Sequence, residues 1–223
     1  MRRQIHVRKK RYRVILFDLD GTLIDNQASF SLAFQKICQR YPDALDSDSY
    51  EQCLEMSAFF RAKDQSVAYR TFCKTHHWKS PPSFLAFWVL WTTLYLESSV
   101  PFERTLETLS FLKEKGYRLG LITNGNTNFQ RAKLISAELL TYFERVYISD
   151  EMGMEKPNPG IYWTAAADFG VTPSECLFVG DTSTTDIAGA KNAGMDSLLV
   201  GDGEDLLNAT YKGEDVSALM KIL

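Results

Sequence analysis

Five short runs of consecutive apolar residues punctuate the chain: Val14 to Phe17, Leu119 to Ile122, Val146 to Ile148, Leu177 to Val179 and Leu198 to Val200. Runs of this kind, without polar alternation, fit strands buried on both faces, as in a parallel sheet covered by helices. Between the later runs, helical patterns cover 127–140, 158–169 and 184–193; the second opens after Pro157 and the third is closed by Gly194. Strand alternating with helix predicts an α/β fold with a Rossmann-like parallel sheet and helices on both faces.

The first connection does not fit a simple crossover. Strand one ends near residue 17 and the next clear sheet strand begins near 118, far more chain than one crossover helix needs. Within it, 26–41, 48–63, 64–78 and 82–97 read as helices, with turn signals at Pro42-Asp43 and Pro81-Pro82. The chain therefore divides into an arm at 1–13, a core from 14–25 and 99–223, and an inserted all-helical module at 26–98. In the last of its helices Phe84, Phe87, Trp88, Trp91 and Tyr95 share one face, and most other positions are apolar too, which predicts burial all round.

Length and composition sharpen this picture. A chain of 223 residues with 45% apolar content suits one large domain or a domain carrying a smaller one, and it excludes a disordered or fibrous protein. The net charge of -3 is unevenly spread: seven Arg and Lys in the first thirteen residues put +7 on the arm and leave -10 on the rest. So acidic a body argues against a nucleic-acid or anionic-membrane surface, leaving only the arm for such contacts. No apolar stretch separates the arm's charges from the first strand, so it does not read as a signal peptide. The longest apolar region, Phe84 to Leu96, falls short of the roughly 20 residues that span a bilayer. Cysteines 38, 53, 73 and 176 form no close metal-binding pair, and reduced thiols in a cytoplasm fit them. The adjacent His76 and His77 read as polar residues at a helix end.

Candidate chemistry gathers just after the strands. Asp18-Leu19-Asp20-Gly21-Thr22 follows the first, Thr123-Asn124-Gly125 the second, a loop with Lys156-Pro157 the third, and Gly180-Asp181 with Asp186 the fourth. In an open parallel sheet these carboxyl ends form the crevice where ligands bind, so the groups converge on one site. Gly21 breaks the strand, so Asp18 and Asp20 can reach one cavity, one to attack and one to move protons; Asp-Leu-Asp-Gly can also be a simple Asx turn. Asp181 and Asp186 add oxygen ligands beside Asp18, a hard-cation set that suits Mg²⁺; Asp186 can equally be a first-turn acid of its helix. Thr123 with the amides of Asn124 and Gly125 can hold phosphate oxygens, and Lys156 can stabilise attacker and phosphoryl group together. Taken alone, Lys156 reads as a solvated loop lysine.

The strings ILFDLDGTLID (15–25), LITNG (121–125), EKPNPGIY (155–162) and LFVGDTSTTDIAGAKNAGM (177–195) resemble, in order, the four motifs of the haloacid dehalogenase-like hydrolase superfamily. The resemblance covers about residues 14–200, and the 26–98 insertion stands where that family carries a helical cap, though its own sequence aligns with no motif. The resemblance implies that Asp18 is a nucleophile forming an aspartyl-phosphate and that Asp20 protonates the leaving oxygen and then activates water. Thr123 would bind the phosphoryl group together with backbone amides, and Lys156 would bridge it to Asp18. Mg²⁺ would be held by Asp18, the main-chain oxygen of Asp20 and Asp181, with Asp186 and Thr22 supporting from behind. The segment Val100 to Arg104 lacks the Gly that members often carry where the chain returns from the cap.

The expected function is a Mg²⁺-dependent phosphatase acting on a small phosphorylated metabolite. Members that displace halide lack an acid two residues after the nucleophile, so Asp20 disfavours dehalogenation. A phosphomutase, or a non-enzymatic binding protein on the same scaffold, are the alternatives. The stretch LITNGNTNFQRAKL, with Gln130 and Lys133, resembles members acting on nucleotides or acylated sugar phosphates. Cap residues Arg61, Lys63, Arg70 and Lys74 are candidates for substrate selection; the sequence leaves their placement and the oligomeric state open. For the arm, seven charges without stacking aromatics make weak, salt-sensitive contacts. Deleting residues 1–12 is therefore expected to leave retention on RNA or DNA at moderate salt unchanged, and a drop in retention would give the arm a nucleic-acid role.

Overall fold

Val14, Ile15, Leu16 and Phe17 expose no surface to solvent, as strand residues covered by helices on both faces must. They form β1 (Val14–Phe17) in a computed structural model that describes residues 12–46, 48–58 and 62–223. All but the last two residues of the basic arm lie outside the described residues, as do residues 59–61, Arg61 among them, of the helix expected over 48–63.

A two-residue strand, β2 (Ile24–Asp25), leads into four helices, α1 (Asn26–Arg40), α2 (Tyr50–Ala58), α3 (Gln65–Thr75) and α4 (Phe84–Leu96). β3 (Val100–Pro101) then pairs with β2 as the chain returns. The starts of α1, α3 and α4 follow from capping: the side chains of Asp25, Asp64 and Ser83 accept from the amides of Ala28, Val67 and Ala86 and satisfy donors that a first helical turn leaves open. Beyond lie α5 (Thr105–Glu114), β4 (Arg118–Thr123), α6 (Thr127–Ser136), β5 (Arg145–Ile148), α7 (Ser149–Met152) and α8 (Pro159–Asp168). β6 (Cys176–Gly180) is followed by a π-helical turn, Ser183–Ile187, then α9 (Ala188–Ala193), β7 (Asp196–Val200), β8 (Tyr211–Gly213) and α10 (Leu219–Ile222).

Six strands form one sheet in the order β5-β4-β1-β6-β7-β8, with every pairing parallel. The five expected strands are present, and β1 lies between β4 and β6, with Phe17 opposite both Leu121 and Val179. Asp18, Thr123 and Asp181 thus leave neighbouring strands at the same end. The sixth strand, β8, was not expected, because Tyr-Lys-Gly contains no apolar run to announce it. Nor was α5, whose buried face mixes Thr105 and Thr108 with Leu109 and Leu112 and so dulls the apolar period. The helix expected over 127–140 stops at Ser136, and Glu138 turns the backbone into left-handed φ at 57°.

Two compact units are present. One gathers the chain up to Leu23 with Pro101–Gln130 and Leu139–Leu223, and holds the six-stranded sheet. The other takes Ile24–Val100 with Arg131–Glu138, so it includes the helical module expected at 26–98 and a segment from the far side of β4. Its core packs Phe34, Ile37, Tyr69, Phe72, Phe87 and Trp91, and Tyr69 stacks on Phe87 at 4.7 Å between ring centroids. The burial expected all round α4 holds on one face only. Phe87, Trp91 and Tyr95 are buried, but Leu85 is 70% and Val89 55% exposed, because the unit has no element covering that side among the described residues. His76 caps the end of α3 and pairs with Glu55 at 2.7 Å, a structural helix-end contact.

No helix among the described residues is long and apolar enough to cross a membrane. Leu16→Ala in the central strand should lower unfolding stability by about 2–5 kcal/mol in urea titration, whereas Leu85→Ala on the exposed face of α4 should change it by no more than about 0.5 kcal/mol.

Candidate active site

The turn after β1 is shaped by one residue. Gly21 sits at φ +82°, and a Cβ there would run into the Asp181 carboxylate, so this position requires both the left-handed backbone and the absence of a side chain. The amide of Asp18 donates to the carbonyl of Val179 at 2.9 Å, which continues the β1–β6 ladder to the nucleophile candidate itself. The Asp18 side chain is buried.

Lys156 reaches the same place from the loop after β5. Its Nζ donates to Asp18 Oδ1 at 2.5 Å and to Asp186 Oδ1 at 2.7 Å, and the residue is 4% exposed, so it is no solvated loop lysine. Its backbone is pinned on both sides by Asn124, whose Nδ2 donates to the Lys156 carbonyl at 3.0 Å and whose Oδ1 accepts from the Lys156 amide at 2.8 Å. The Lys156–Pro157 bond is cis. Asp186 is held in turn by the amide of Thr182 at 3.1 Å. Thr22 Oγ1 lies 3.5 Å from Asp18 Oδ2.

Carboxylate oxygens of Asp18, Asp181 and Asp186 lie within 4.8 Å of one another. Burial pushes the Asp18 carboxyl up to about 6, the pull of Lys156 opposing it and the nearby Asp186 adding to it. Burial and the neighbouring Asp18 raise Asp181, and burial raises Asp186 despite Lys156. Burial alone would lower Lys156, but Asp18 and Asp186 outweigh it and hold the ammonium above its usual value. The directions agree physically: one ammonium gains from two acids, yet cannot neutralise three. Oxygen-only donors this close, with charge left over, are a set that a hard divalent cation fits.

Asp20 stands apart from that cluster. Its Oδ2 accepts from Gln130 Nε2 at 2.9 Å, and the same nitrogen lies 2.6 Å from Thr123 Oγ1. The structure therefore brings Asp18, Asp181, Asp186 and Lys156 into one cluster, with Thr22 at its side, and joins Asp20 to Thr123 through Gln130. For the residues after Thr123 the outcome differs from expectation. The Gly125 backbone amide, expected to face phosphate, donates to Ser149 Oγ at 2.9 Å, while the Asn124 side chain, as distinct from its backbone amide, is committed to the backbone of Lys156. Sequence reasoning missed these partners, along with Tyr162, whose buried hydroxyl lies 3.2 Å from the carbonyls of Thr185 and Asp186. Only Gln130 left a signal, as a polar residue one turn into the helix after the second motif.

The sequence profile described as haloacid dehalogenase-like hydrolase matches residues 15–200. The glyceraldehyde 3-phosphate phosphatase of Methanothermobacter thermautotrophicus is 33% identical over 192 residues, which cover 84% of this chain and 85% of that protein. The N-acylneuraminate-9-phosphatase of Homo sapiens is 30% identical over 200 residues, 83% of this chain and 80% of that one. Among solved structures, a magnesium-bound HAD-hydrolase of Bacillus subtilis superposes with a TM-score of 0.75 over 96% of this chain and 99% of its own, at 21% identity, a likeness of fold.

The raised Asp18 carboxyl has a signed consequence for stability. Between the usual carboxyl value of 3.8 and about 6, the folded protein keeps a proton that the unfolded chain has released, so rising pH favours unfolding there. In a chelating buffer, the stability of the wild type relative to Asp18→Asn should fall as pH rises through this window; a difference independent of pH in urea titrations would contradict it.

Proposed function

The chain belongs to the haloacid dehalogenase-like hydrolases and is one of their phosphatases, and on that premise we propose that it hydrolyses a small phosphate monoester through an aspartyl-phosphate on Asp18, with Mg²⁺ as cofactor. One observation carries the reading: a buried lysine bonded to Asp18 and Asp186, beside a third carboxylate, with Asp20 held separately by Gln130. A nucleophile and a proton-transfer group thus stand in different surroundings within two residues of chain, the separation that divides the work between two carboxylates.

In the first step a carboxylate oxygen of Asp18 attacks phosphorus, the bond from phosphorus to the ester oxygen breaks, and that oxygen takes a proton from Asp20 and leaves as an alcohol. In the second, water gives a proton to Asp20 as its oxygen bonds to phosphorus. The bond between phosphorus and Asp18 breaks, returning the carboxylate and releasing phosphate. Lys156 balances charge on Asp18 as the phosphoryl group arrives. Thr123 accepts from Gln130 at 2.6 Å and keeps its own hydroxyl hydrogen for a phosphoryl oxygen. Asp18, Asp181 and the main-chain oxygen of Asp20 would hold the Mg²⁺, and Asp186 keeps Lys156 in place behind them. When bound, the cation supplies positive charge against the carboxylates and the phosphoryl oxygens.

Two relatives are named for glyceraldehyde 3-phosphate and for N-acylneuraminate-9-phosphate, which supports a sugar phosphate class here. Asp18→Asn is expected to abolish phosphate release from an aryl phosphate while circular dichroism stays native; retained turnover would remove the nucleophile assignment. Chelation should silence the wild type and added Mg²⁺ should restore it. A panel of sugar phosphates, nucleotides and small phosphorylated acids, read for free phosphate and for isomerised product, checks hydrolysis against phosphoryl return.

A further inference from the structure

Gln130 is a polar side chain bonded to Asp20 whose purpose the motifs do not state. It projects from the first turns of α6 and is 3% exposed. Its Nε2 lies 2.9 Å from Asp20 Oδ2, 2.6 Å from Thr123 Oγ1 and 3.3 Å from the carbonyl oxygen of Asn124. The Asn124 carbonyl only accepts, so the nitrogen, not the oxygen, of the amide faces this cluster. Turning the amide over would set Oε1 against that carbonyl in a buried place, at the cost of unmet hydrogen bonds.

The placement of Gln130 is itself enforced. The amide of Thr127 and the Nδ2 of Asn126 both donate to Asp150 Oδ2, at 3.1 and 3.2 Å, which fixes the start of α6. The Gln130 amide closes the first turn on the Asn126 carbonyl at 3.0 Å. A Cβ on Gly125 would stand 3.2 Å from the Gln130 side chain, so the loop before the helix packs close against it. A short, buried, doubly anchored amide of this kind has little freedom to follow a moving partner.

We propose that Gln130 is a positioning residue for proton transfer: it fixes the rotamer of Asp20 and ties it to the Thr123 hydroxyl, so that acid and phosphoryl-binding group keep one spacing. The inference rests on the reading of Asp20 as the proton-transfer group. Its consequence is selective. An alkyl ester oxygen leaves as a strongly basic alkoxide unless it is protonated, so its departure depends on the acid being in position, whereas a nitrophenolate leaves without help. Losing the orientation of Asp20 should therefore penalise alkyl esters in the first step. In the second step Asp20 acts on water whatever ester was used, so the penalty there is common to all substrates.

The experiment compares Gln130→Met, of similar length but without the donor, and Gln130→Ala with the wild type on an alkyl phosphate and on 4-nitrophenyl phosphate. Here kcat/KM reports the steps through phosphoryl transfer to Asp18. It should fall about 10–100-fold for the alkyl ester and no more than about threefold for the aryl ester. At saturation, both substrates should show the same lowered kcat, with phosphoenzyme accumulating in acid-quenched samples. In an Asp20→Ala background, Gln130→Met should cause no further loss. Equal falls in kcat/KM for both esters, or a full additional loss without Asp20, would overturn the proposal; a general weakening of the fold gives such equal falls. A failure of the phosphatase reading itself would show earlier, as a wild type that turns over neither ester or an Asp18→Asn variant that still turns over both.

Discussion

A single ammonium group shared by buried acids sets the terms for the whole site. Lys156 Nζ is bonded to Asp18 and Asp186 while Asp181 stands within the same few ångströms. Removing such charges from water is expensive, and only close pairing with further hydrogen bonds repays it. The surrounding structure supplies those terms: Asn124 clamps the Lys156 backbone, the Thr182 amide holds Asp186, and Gly21 leaves room for Asp181. With one positive charge against three negative ones, the arrangement retains an excess that a divalent cation can answer. The net -3 of the chain therefore says little about attraction of an anionic substrate, because local potential is decided among these few groups.

The sheet explains why they meet. Strands carrying Asp18, Thr123 and Asp181 lie side by side in parallel, so their carboxyl ends open on one crevice although the residues span more than 160 positions of sequence. The loops then work in pairs. Asn124, after β4, holds Lys156, after β5; Ser149 holds Gly125; Asp150 holds the start of α6. Each is a contact between the loop after the second motif and the chain after β5, so these two segments form one rigid support.

The core strands were legible from strong local signals, whereas the cluster residues, weak one by one, drew their weight from falling together just after those strands. Buried parallel strands are uninterrupted apolar runs, and the Asp18 to Thr22 string stops a strand with Gly21. Elements with weak local signals were not legible. β8 has no apolar run, and α5 buries threonines. For Lys156 a solvated loop residue was the ordinary expectation from local sequence, since its burial depends on two acids 138 and 30 positions away. The partners of Gly125 and Asn124 were hidden for the same reason: which acceptor an amide finds depends on the approach of another loop. All-round apolarity of α4 misled in the opposite direction, since composition cannot tell a covered face from a bare one, and Leu85 and Val89 are exposed.

The central place of β1 also orders events in time. Its partners are β4, about a hundred residues later, and β6, beginning at Cys176, so Val14 to Phe17 must await neighbours made long after them. Closing such long intervals is slow relative to local helix packing, and domains form as units while synthesis proceeds. The helices between Asn26 and Leu96 can pack while the first strand is still unpaired and apolar. Asp18 is therefore made long before Lys156, Asp181 and Asp186, so an incomplete chain carries Asp18 without the charged cluster that surrounds it in the folded protein.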